Sequence, residues 1–117
     1  MNYKKSFNFL KKLPSKLNLF YKKKSKSGIK VNNKSKSKKD FDPVTNFDKA
    51  FEKYIRTLIN KNFPNDSIIG EEFQDKPSSN HLKWSIDPID GTRAFVIGAP
   101  TWSNLISLSY HDKSLLG

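Results

Sequence analysis

The sequence contains no cysteine, which excludes disulfide bridges and thiolate metal sites and suits a reducing compartment. It has no apolar run approaching the roughly 20 residues that span a bilayer. Its basic amino terminus lacks the continuous apolar core and the small-residue cleavage site of a signal peptide. A chain of 117 residues is one small domain or part of a larger one, and we expect a cytoplasmic protein.

Acidic residues are almost absent from the first third of the chain. Residues 1–40 hold 14 of the 22 lysines and arginines and a single acid, Asp40, so the net charge of +11 belongs to this part. Six of the other ten acids fall between Asp66 and Asp90. The sequence therefore separates a basic segment from an acidic cluster, and each needs its own explanation.

The basic segment contains the low-complexity run "KKKSKSGIKVNNKSKSKK". A phosphate-binding arm for nucleic acid or anionic lipid is one interpretation, and a solvated segment is the other. Nucleic-acid binders usually interleave aromatic residues or arginine with the charge, whereas here every base is lysine and the aromatic residues precede the run. The pattern favours a solvated segment, and we do not expect nucleic acid as a partner.

Apolar residues at helical spacing appear first in "YKKSFNFLKKLPSKLNLFY". They predict an amphipathic helix that covers the side of its own domain, with a membrane-surface helix as the alternative. Pro14 predicts a kink or a break in it. The stretch "GIKVNNKSKSKKDFDPV" then carries weak strand and turn signals, with Asn32-Asn33 as the place of the turn.

The clearest helical pattern is "TNFDKAFEKYIRTLINKNFP", with apolar residues repeating along one face. Thr45 and Asp48 form a T-x-x-D start that resembles a capping box, and Pro64 ends the helix after Phe63.

Three strands are predicted, in "DSIIGEE", "HLKWSID" and "PTWSNLISLSY". Between the last two, "DGTRAFVIG" predicts a tight turn and one helical turn. A chain that mixes strands and helices in this way predicts an α/β or α+β sheet protein.

The acids follow two of these strands, as Glu71, Glu72, Asp87 and Asp90. If the strands are neighbours, the carboxylates converge and repel one another, so a cation must compensate. Hard oxygen ligands suit Mg²⁺ or Mn²⁺. Gly91 lets a substrate approach the backbone, and a helix that begins there would hold a phosphate oxygen. The pattern indicates metal-assisted phosphoryl transfer; the alternatives are a solvated loop, a plain turn and, for Asp48, a helix cap alone.

The stretch "GEE" at 70–72, followed by "WSIDPIDGTRAF" at 84–95, closely resembles the signature of the inositol monophosphatase superfamily. The resemblance covers about residues 38–117. It implies the amino-terminal part of that family's layered α/β/α/β sugar phosphatase fold, left incomplete, with residues 1–37 as a lysine-rich helix and loop before it.

The resemblance also implies a role for each matching residue. Metal binding falls to Glu72, Asp87, Asp90 and the main-chain carbonyl of Ile89, with two or three Mg²⁺ ions. Activation of the attacking water falls to Thr92 with Asp48 behind it, and phosphate contacts to the amides of Gly91 and Thr92. Glu71 is expected to support the metal ligands from behind, and a lysine before "DFDPVT", Lys38 or Lys39, is expected near the metals.

Within the superfamily, "DGTRAF" followed by "PTW" resembles the histidinol-phosphate phosphatase branch of histidine biosynthesis, with inositol-1-monophosphatase as the alternative. Family members are longer, and their remaining metal-binding aspartate lies in the second half. We therefore expect a fragment completed by a missing carboxyl-terminal half or by a homodimer partner, acting on a small phosphorylated metabolite. An inactive remnant, or a lysine-rich protein that binds anionic surfaces, is the alternative from another class.

Overall fold

The computed structural model describes residues 3–28, 30–33 and 43–117. Within them no helix is both long and apolar enough to cross a bilayer. The helices are α1 (Lys4–Lys24), α2 (Asn46–Asn62) and α3 (Thr92–Val96), with a single 3₁₀ turn at Ser25–Ser27. The strands are β1 (Val31–Asn33), β2 (Pro43–Thr45), β3 (Ser67–Gly70), β4 (Leu82–Asp90), β5 (Ser103–Tyr110) and β6 (Lys113–Leu116).

Four strands form one mixed sheet in the order β3-β4-β5-β6. Strands β3 and β4 are parallel, with Gly70 opposite Ile86, while β5 and β6 continue the sheet antiparallel. The parallel pair places the ends of β3 and β4 at the same edge, as the acidic motif requires. All three predicted strands are therefore confirmed, and β6 is a strand that the sequence analysis did not predict.

Strands β1 and β2 form a separate antiparallel pair. The prediction of a turn at Asn32-Asn33 is wrong, because both residues lie in β1, where Asn32 pairs with Val44. The local turn preference of Asn-Asn is overridden by this pairing with the strand that leads into α2.

Helix α1 covers the side of its own domain, as predicted. Leu13 is 2% exposed and Leu17 is 7% exposed, and both join the main core. Of the kink or break expected at Pro14, the break is wrong, since the helix continues through this residue, and the kink stays a prediction. A proline inside a helix destabilises it by about 3 kcal/mol. Burying Leu13 and Leu17 stabilises the fold by about 1.5–3 kcal/mol for each side chain. Packing therefore outweighs the lost backbone hydrogen bond.

Helix α2 begins with the predicted capping box. The Thr45 hydroxyl accepts the amide protons of Phe47 and Asp48 at 3.1 and 3.3 Å, and Asp48 accepts the amide proton of Thr45 at 2.7 Å. The buried face of the helix packs on the sheet. The residues of this contact that are at most 1% exposed are Phe47, Phe51, Ile55 and Ile59 on α2 and Ile68, Trp84 and Leu108 on the sheet.

Candidate active site

The two aspartates of "DPID" lie at a β-bulge near the end of β4. Asp87 pairs with Leu105 of β5, and Asp90 pairs with Ser103, so three steps along β4 correspond to two along β5. In a regular strand, residues three apart point to opposite faces. The extra residue changes this: Leu105 and Ser103 are two apart on β5, so their partners Asp87 and Asp90 lie on one face, away from the helices.

The two residues between the aspartates are buried and help to fix the bulge. Pro88 is less than 2% exposed, and Ile89 is 2% exposed and belongs to the core. The side-chain amide of Asn104 on β5 donates a hydrogen bond to the carbonyl of Pro88. Pro88 and Ile89 therefore anchor the motif in the hydrophobic core, and Asp87 and Asp90 present the carboxylates.

Gly91 connects β4 to α3 in a conformation that only glycine adopts easily. Its φ is +86°, and a Cβ at this position would lie 2.8 Å from the carbonyl oxygen of Thr101. Phe95 anchors the short helix α3 in the core, where it is only 3% exposed. Its ring centroid lies 5.2 Å from that of Phe47 and 4.9 Å from that of Trp102. The core thus sets the position of Thr92 at the start of α3.

Thr92 contacts Asp48, which lies 44 residues earlier in the chain. The Thr92 Oγ1 atom is 3.0 Å from Asp48 Oδ2 and 3.1 Å from the carbonyl oxygen of Ile89. Asp48 is 1% exposed, and its other oxygen accepts the backbone and hydroxyl protons of Thr45 at 2.7 and 2.6 Å. Asp48 therefore caps α2 and holds Thr92 at the same time, which joins the two interpretations of this residue.

The Glu71–Glu72 loop follows β3 and is held by α2. The amide groups of Glu72 and Phe73 donate to Glu52 at 2.9 and 3.1 Å, and Glu52 is fully buried. Arg56 donates to the same carboxylate from its Nε at 2.9 Å. Glu71 is exposed and Glu72 is half-buried at this edge of the sheet.

A cavity of about 600 Å³ lies on the sheet face away from the helices. Its lining includes Glu71 and Asp87 together with the apolar side chains of Ile69 and Leu105, which are 37% and 49% exposed. Two of the four acids predicted from the sequence, Glu71 and Asp87, thus border an open surface at one edge of the sheet. The donors near it are carboxylate and carbonyl oxygens, whose chemistry fits Mg²⁺ or Mn²⁺.

The structure brings only some of the predicted site residues into contact. Asp48, Ile89 and Thr92 are joined by hydrogen bonds, and Glu71 and Asp87 share a cavity. Across residues 3–28, 30–33 and 43–117, no three His, Asp or Glu side chains lie close enough together to hold a metal ion. The predicted metal ligands therefore lie around one edge without forming a complete cluster, and Lys38 and Lys39 lie outside the described residues.

Glu52 and Arg56 were missed by the sequence analysis. Their signal was present, because Asp48, Glu52 and Arg56 recur every fourth residue beside the apolar stripe of α2. A glutamate and an arginine four apart also describe an exposed helical ion pair, so the pattern alone does not reveal burial.

Residues 7–117 match the sequence model of the inositol monophosphatase family. A histidinol-phosphatase of Chlorobaculum parvum is 46% identical over 81 residues, which cover 69% of this chain and 31% of that protein. A histidinol-phosphatase of Mycobacterium tuberculosis is 42% identical over 72 residues, which cover 62% of this chain and 28% of that protein.

Among solved structures, part of an IMPase/NADP phosphatase complexed with NADP and Ca²⁺ has the fold of this chain. The TM-score is 0.82 at 19% identity, over 98% of this chain and 43% of that one. The chain spans about a third of the length of these curated relatives.

Proposed function

Because the chain belongs to the inositol monophosphatase family, we propose that it carries part of the active site of a divalent-metal-dependent phosphomonoesterase. The resemblance of "GEE" and "WSIDPIDGTRAF" to this family is confirmed, and so is the expected fold, a mixed α and β arrangement that matches part of the family's solved structures. The activity itself is our proposal, since the chain spans only part of its relatives.

The observation that carries the proposal is the hydrogen bond between Thr92 and Asp48. A threonine hydroxyl has one proton and two lone pairs. Asp48 is buried, and its Oδ2 atom accepts from the Thr92 hydroxyl at 3.0 Å, so the Thr92 proton points inward. The lone pairs of Thr92, which is half-buried, are then left to accept a proton from a water molecule beside it. In this role Thr92 orients the water and draws on its proton, and Asp48 fixes the direction of the hydroxyl.

The carboxylates of Glu72, Asp87 and Asp90 and the carbonyl of Ile89 would hold the cation, with Mg²⁺ as the physiological ion and Mn²⁺ as a substitute. When bound, such an ion lowers the pKa of water and polarises the phosphoryl oxygens. The bulge that places Asp87 and Asp90 on one face supports this assignment. Residues beyond this chain would complete the ligand set, supplied by a carboxyl-terminal half or by a homodimer partner.

The amides of Gly91 and Thr92 would bind the phosphate group of the substrate. Gly91 has no side chain between its backbone and solvent, and it is exposed. The left-handed turn at Gly91 brings these amides directly after Asp90, so phosphate and cation would lie side by side.

We favour histidinol phosphate as the substrate, in a cytoplasmic enzyme. The two relatives named histidinol-phosphatase, at 46% and 42% identity, support this choice together with the "DGTRAF" motif. Inositol 1-phosphate is the alternative, because the family as a whole takes its name from that activity.

The test is phosphate release from histidinol phosphate and from inositol 1-phosphate, in the presence of Mg²⁺, by the protein isolated from its source with its intact mass measured. Asp87→Asn is expected to remove measurable release of phosphate. Asp112→Asn makes the same chemical change at the exposed turn between β5 and β6 and is expected to leave the rate unchanged. Full turnover by Asp87→Asn would refute the assignment, and faster release from inositol 1-phosphate would reverse the substrate choice.

A further inference from the structure

Glu52 makes more contacts than its place in a helix requires. Its side chain is fully buried, and its two oxygens accept from three donors: the amides of Glu72 and Phe73 and the Nε of Arg56. Removing a carboxylate from water is costly unless it is paired and hydrogen-bonded. The Arg56 ion pair alone would satisfy the charge on a helix surface, so the two loop amides are the distinctive part of this arrangement.

The two amides lie on either side of one residue. The Glu72 nitrogen belongs to the peptide plane before the Cα of Glu72, and the Phe73 nitrogen belongs to the plane after it. Because one carboxylate binds both at 2.9 and 3.1 Å, it fixes the orientation of both planes. The direction in which the Glu72 side chain leaves the backbone is thereby set from inside the protein.

Arg56 extends the same attachment along the loop. Its Nη1 donates to the carbonyl of Gln74 at 2.8 Å, and its Nη2 donates to the carbonyl of Phe73 at 3.2 Å. Its side chain is 13% exposed. Together the two α2 residues bind four backbone groups of the loop, and the guanidinium carbon of Arg56 also lies 6.0 Å from the centroid of the Phe73 ring.

Gly70 at the end of β3 provides independent evidence for this packing. A Cβ at position 70 would lie 2.5 Å from the Cδ and the Oε1 of Glu52. The backbone of β3 therefore approaches the buried carboxylate so closely that no side chain fits between them.

We propose that the buried Glu52–Arg56 pair positions the Glu72 carboxylate for the divalent cation, so that Glu52 and Arg56 are positioning residues of the site. This inference rests on the proposed function. Asp48, one helical turn before Glu52, holds Thr92 in the same way. Helix α2 thus sets two parts of the site, four residues apart, which is a rise of about 6 Å along its axis.

The first experiment uses Glu52→Gln, which keeps the shape of the side chain but turns one acceptor into a donor that faces another donor. In the metal-free protein, the amide resonances of Glu72 and Phe73 are expected to shift and their hydrogen exchange to accelerate. The affinity for Mn²⁺, measured by titration calorimetry, is expected to fall about 10- to 100-fold, the range for residues that orient metal ligands. Ile55→Val, a buried change on the same helix, is the control for general loosening and is expected to change neither readout.

The second experiment is a double-mutant cycle with Gly70→Ala. In the wild-type background the new methyl group displaces Glu52, so the same amide shifts and the same loss of Mn²⁺ affinity are expected. In Glu52→Ala the space is open, so Gly70→Ala is expected to add little. Unchanged amides in both Glu52→Gln and Gly70→Ala, or full additivity in the cycle, would overturn the inference.

Asp87→Asn separates this inference from the proposed function. It is expected to weaken Mn²⁺ binding while the amides of Glu72 and Phe73 stay in place. If the wild-type protein completed to its full length binds no Mn²⁺, the proposed function and with it the role of the pair toward a metal are refuted, and the amide readouts then report only the packing of the loop.

Discussion

Replacing Asp48 by asparagine should separate the two tasks of this residue. The Thr45 amide proton needs an acceptor at 2.7 Å, so the amide oxygen of the new side chain must face Thr45. Its NH₂ group is then forced toward Thr92, where it occupies a hydroxyl lone pair. The Thr92 proton turns to the carbonyl of Ile89, which already lies at 3.1 Å. One lone pair of Thr92 stays open to a water, but the Thr92 proton no longer points to a carboxylate, so Thr92 draws less strongly on the proton of that water.

The magnitudes follow from this geometry. Asp48→Asn exchanges charge-assisted hydrogen bonds for neutral ones, so we expect a loss of about 1 kcal/mol in the free energy of unfolding. Asp48→Ala leaves the Thr45 amide buried without its acceptor and removes the cap, so we expect a loss of about 2–4 kcal/mol. Turnover should not follow the same ranking as stability. The milder variant, Asp48→Asn, should already reduce kcat by about 100-fold or more, which is the usual contribution of a positioned proton acceptor.

The assays are urea unfolding of this chain and phosphate release by the full enzyme for both variants. We expect Asp48→Asn to be close to the wild type in stability and to show a severe loss of kcat. Two results would refute the reasoning: Asp48→Ala as stable as the wild type, or Asp48→Asn with kcat within a few-fold of it.

Three further predictions concern stability and charge. Gly91→Ala should destabilise the protein by about 1–2 kcal/mol more than Gly98→Ala does, because both positions have positive φ but only the first meets a neighbouring carbonyl; equal losses in urea unfolding would contradict the close approach. Pro14→Ala should raise the free energy of unfolding by about 1–2 kcal/mol, since it restores a hydrogen bond within α1, and a lowered Tm would disprove this. The hydrogen bond and the positive charge of Lys83 hold the pKa of the Asp112 carboxyl below its ordinary value, so the pair stabilises the fold at neutral pH and loses this effect as the pH falls through that lowered pKa. Lys83→Met should therefore raise the pKa of Asp112, as read by carboxyl NMR titration, and an unchanged titration would reject the pairing.

Local interactions account for the parts of the fold that the sequence predicted well. The capping box of α2 joins residues three apart, so Thr45 and Asp48 could be assigned their contacts directly. The alternation of Leu82, Trp84 and Ile86 likewise reports one buried face of β4. Such signals come from neighbouring positions in the sequence, so they do not depend on contacts with distant parts of the chain.

Other features depend on distant partners and could not be predicted. The length of β4 beyond Asp87 depends on the bulge that lets it pair with β5, and the burial of Glu52 depends on a loop about 20 residues further along the chain. The short strand β6 could not be predicted from local pattern, because the polar "HDK" at 111–113 interrupts the apolar alternation of β5. In the structure, His111 and Asp112 adopt positive φ and turn the chain back onto the sheet.

The candidate site shows the same division. Asp87 and Asp90 were identified from their resemblance to a family motif, and the Thr92–Asp48 contact agrees with it. The role of each residue toward a metal stays a prediction, because residues in contact with the ion in a complete site come from several distant segments.

The bulge in β4 implies that the spacing between Asp87 and Asp90 is constrained as strictly as their identity. Deleting one of the two intervening residues would leave the aspartates two apart on a regular strand, so both carboxylates would still share a face. It would also remove the bulge together with one of its two buried anchors, Pro88 or Ile89, and the hydrogen bond to that residue's carbonyl. A sequence pattern for this site that allowed a gap between the two aspartates would therefore select chains that have both acids on one face and lack the contacts that fix their position.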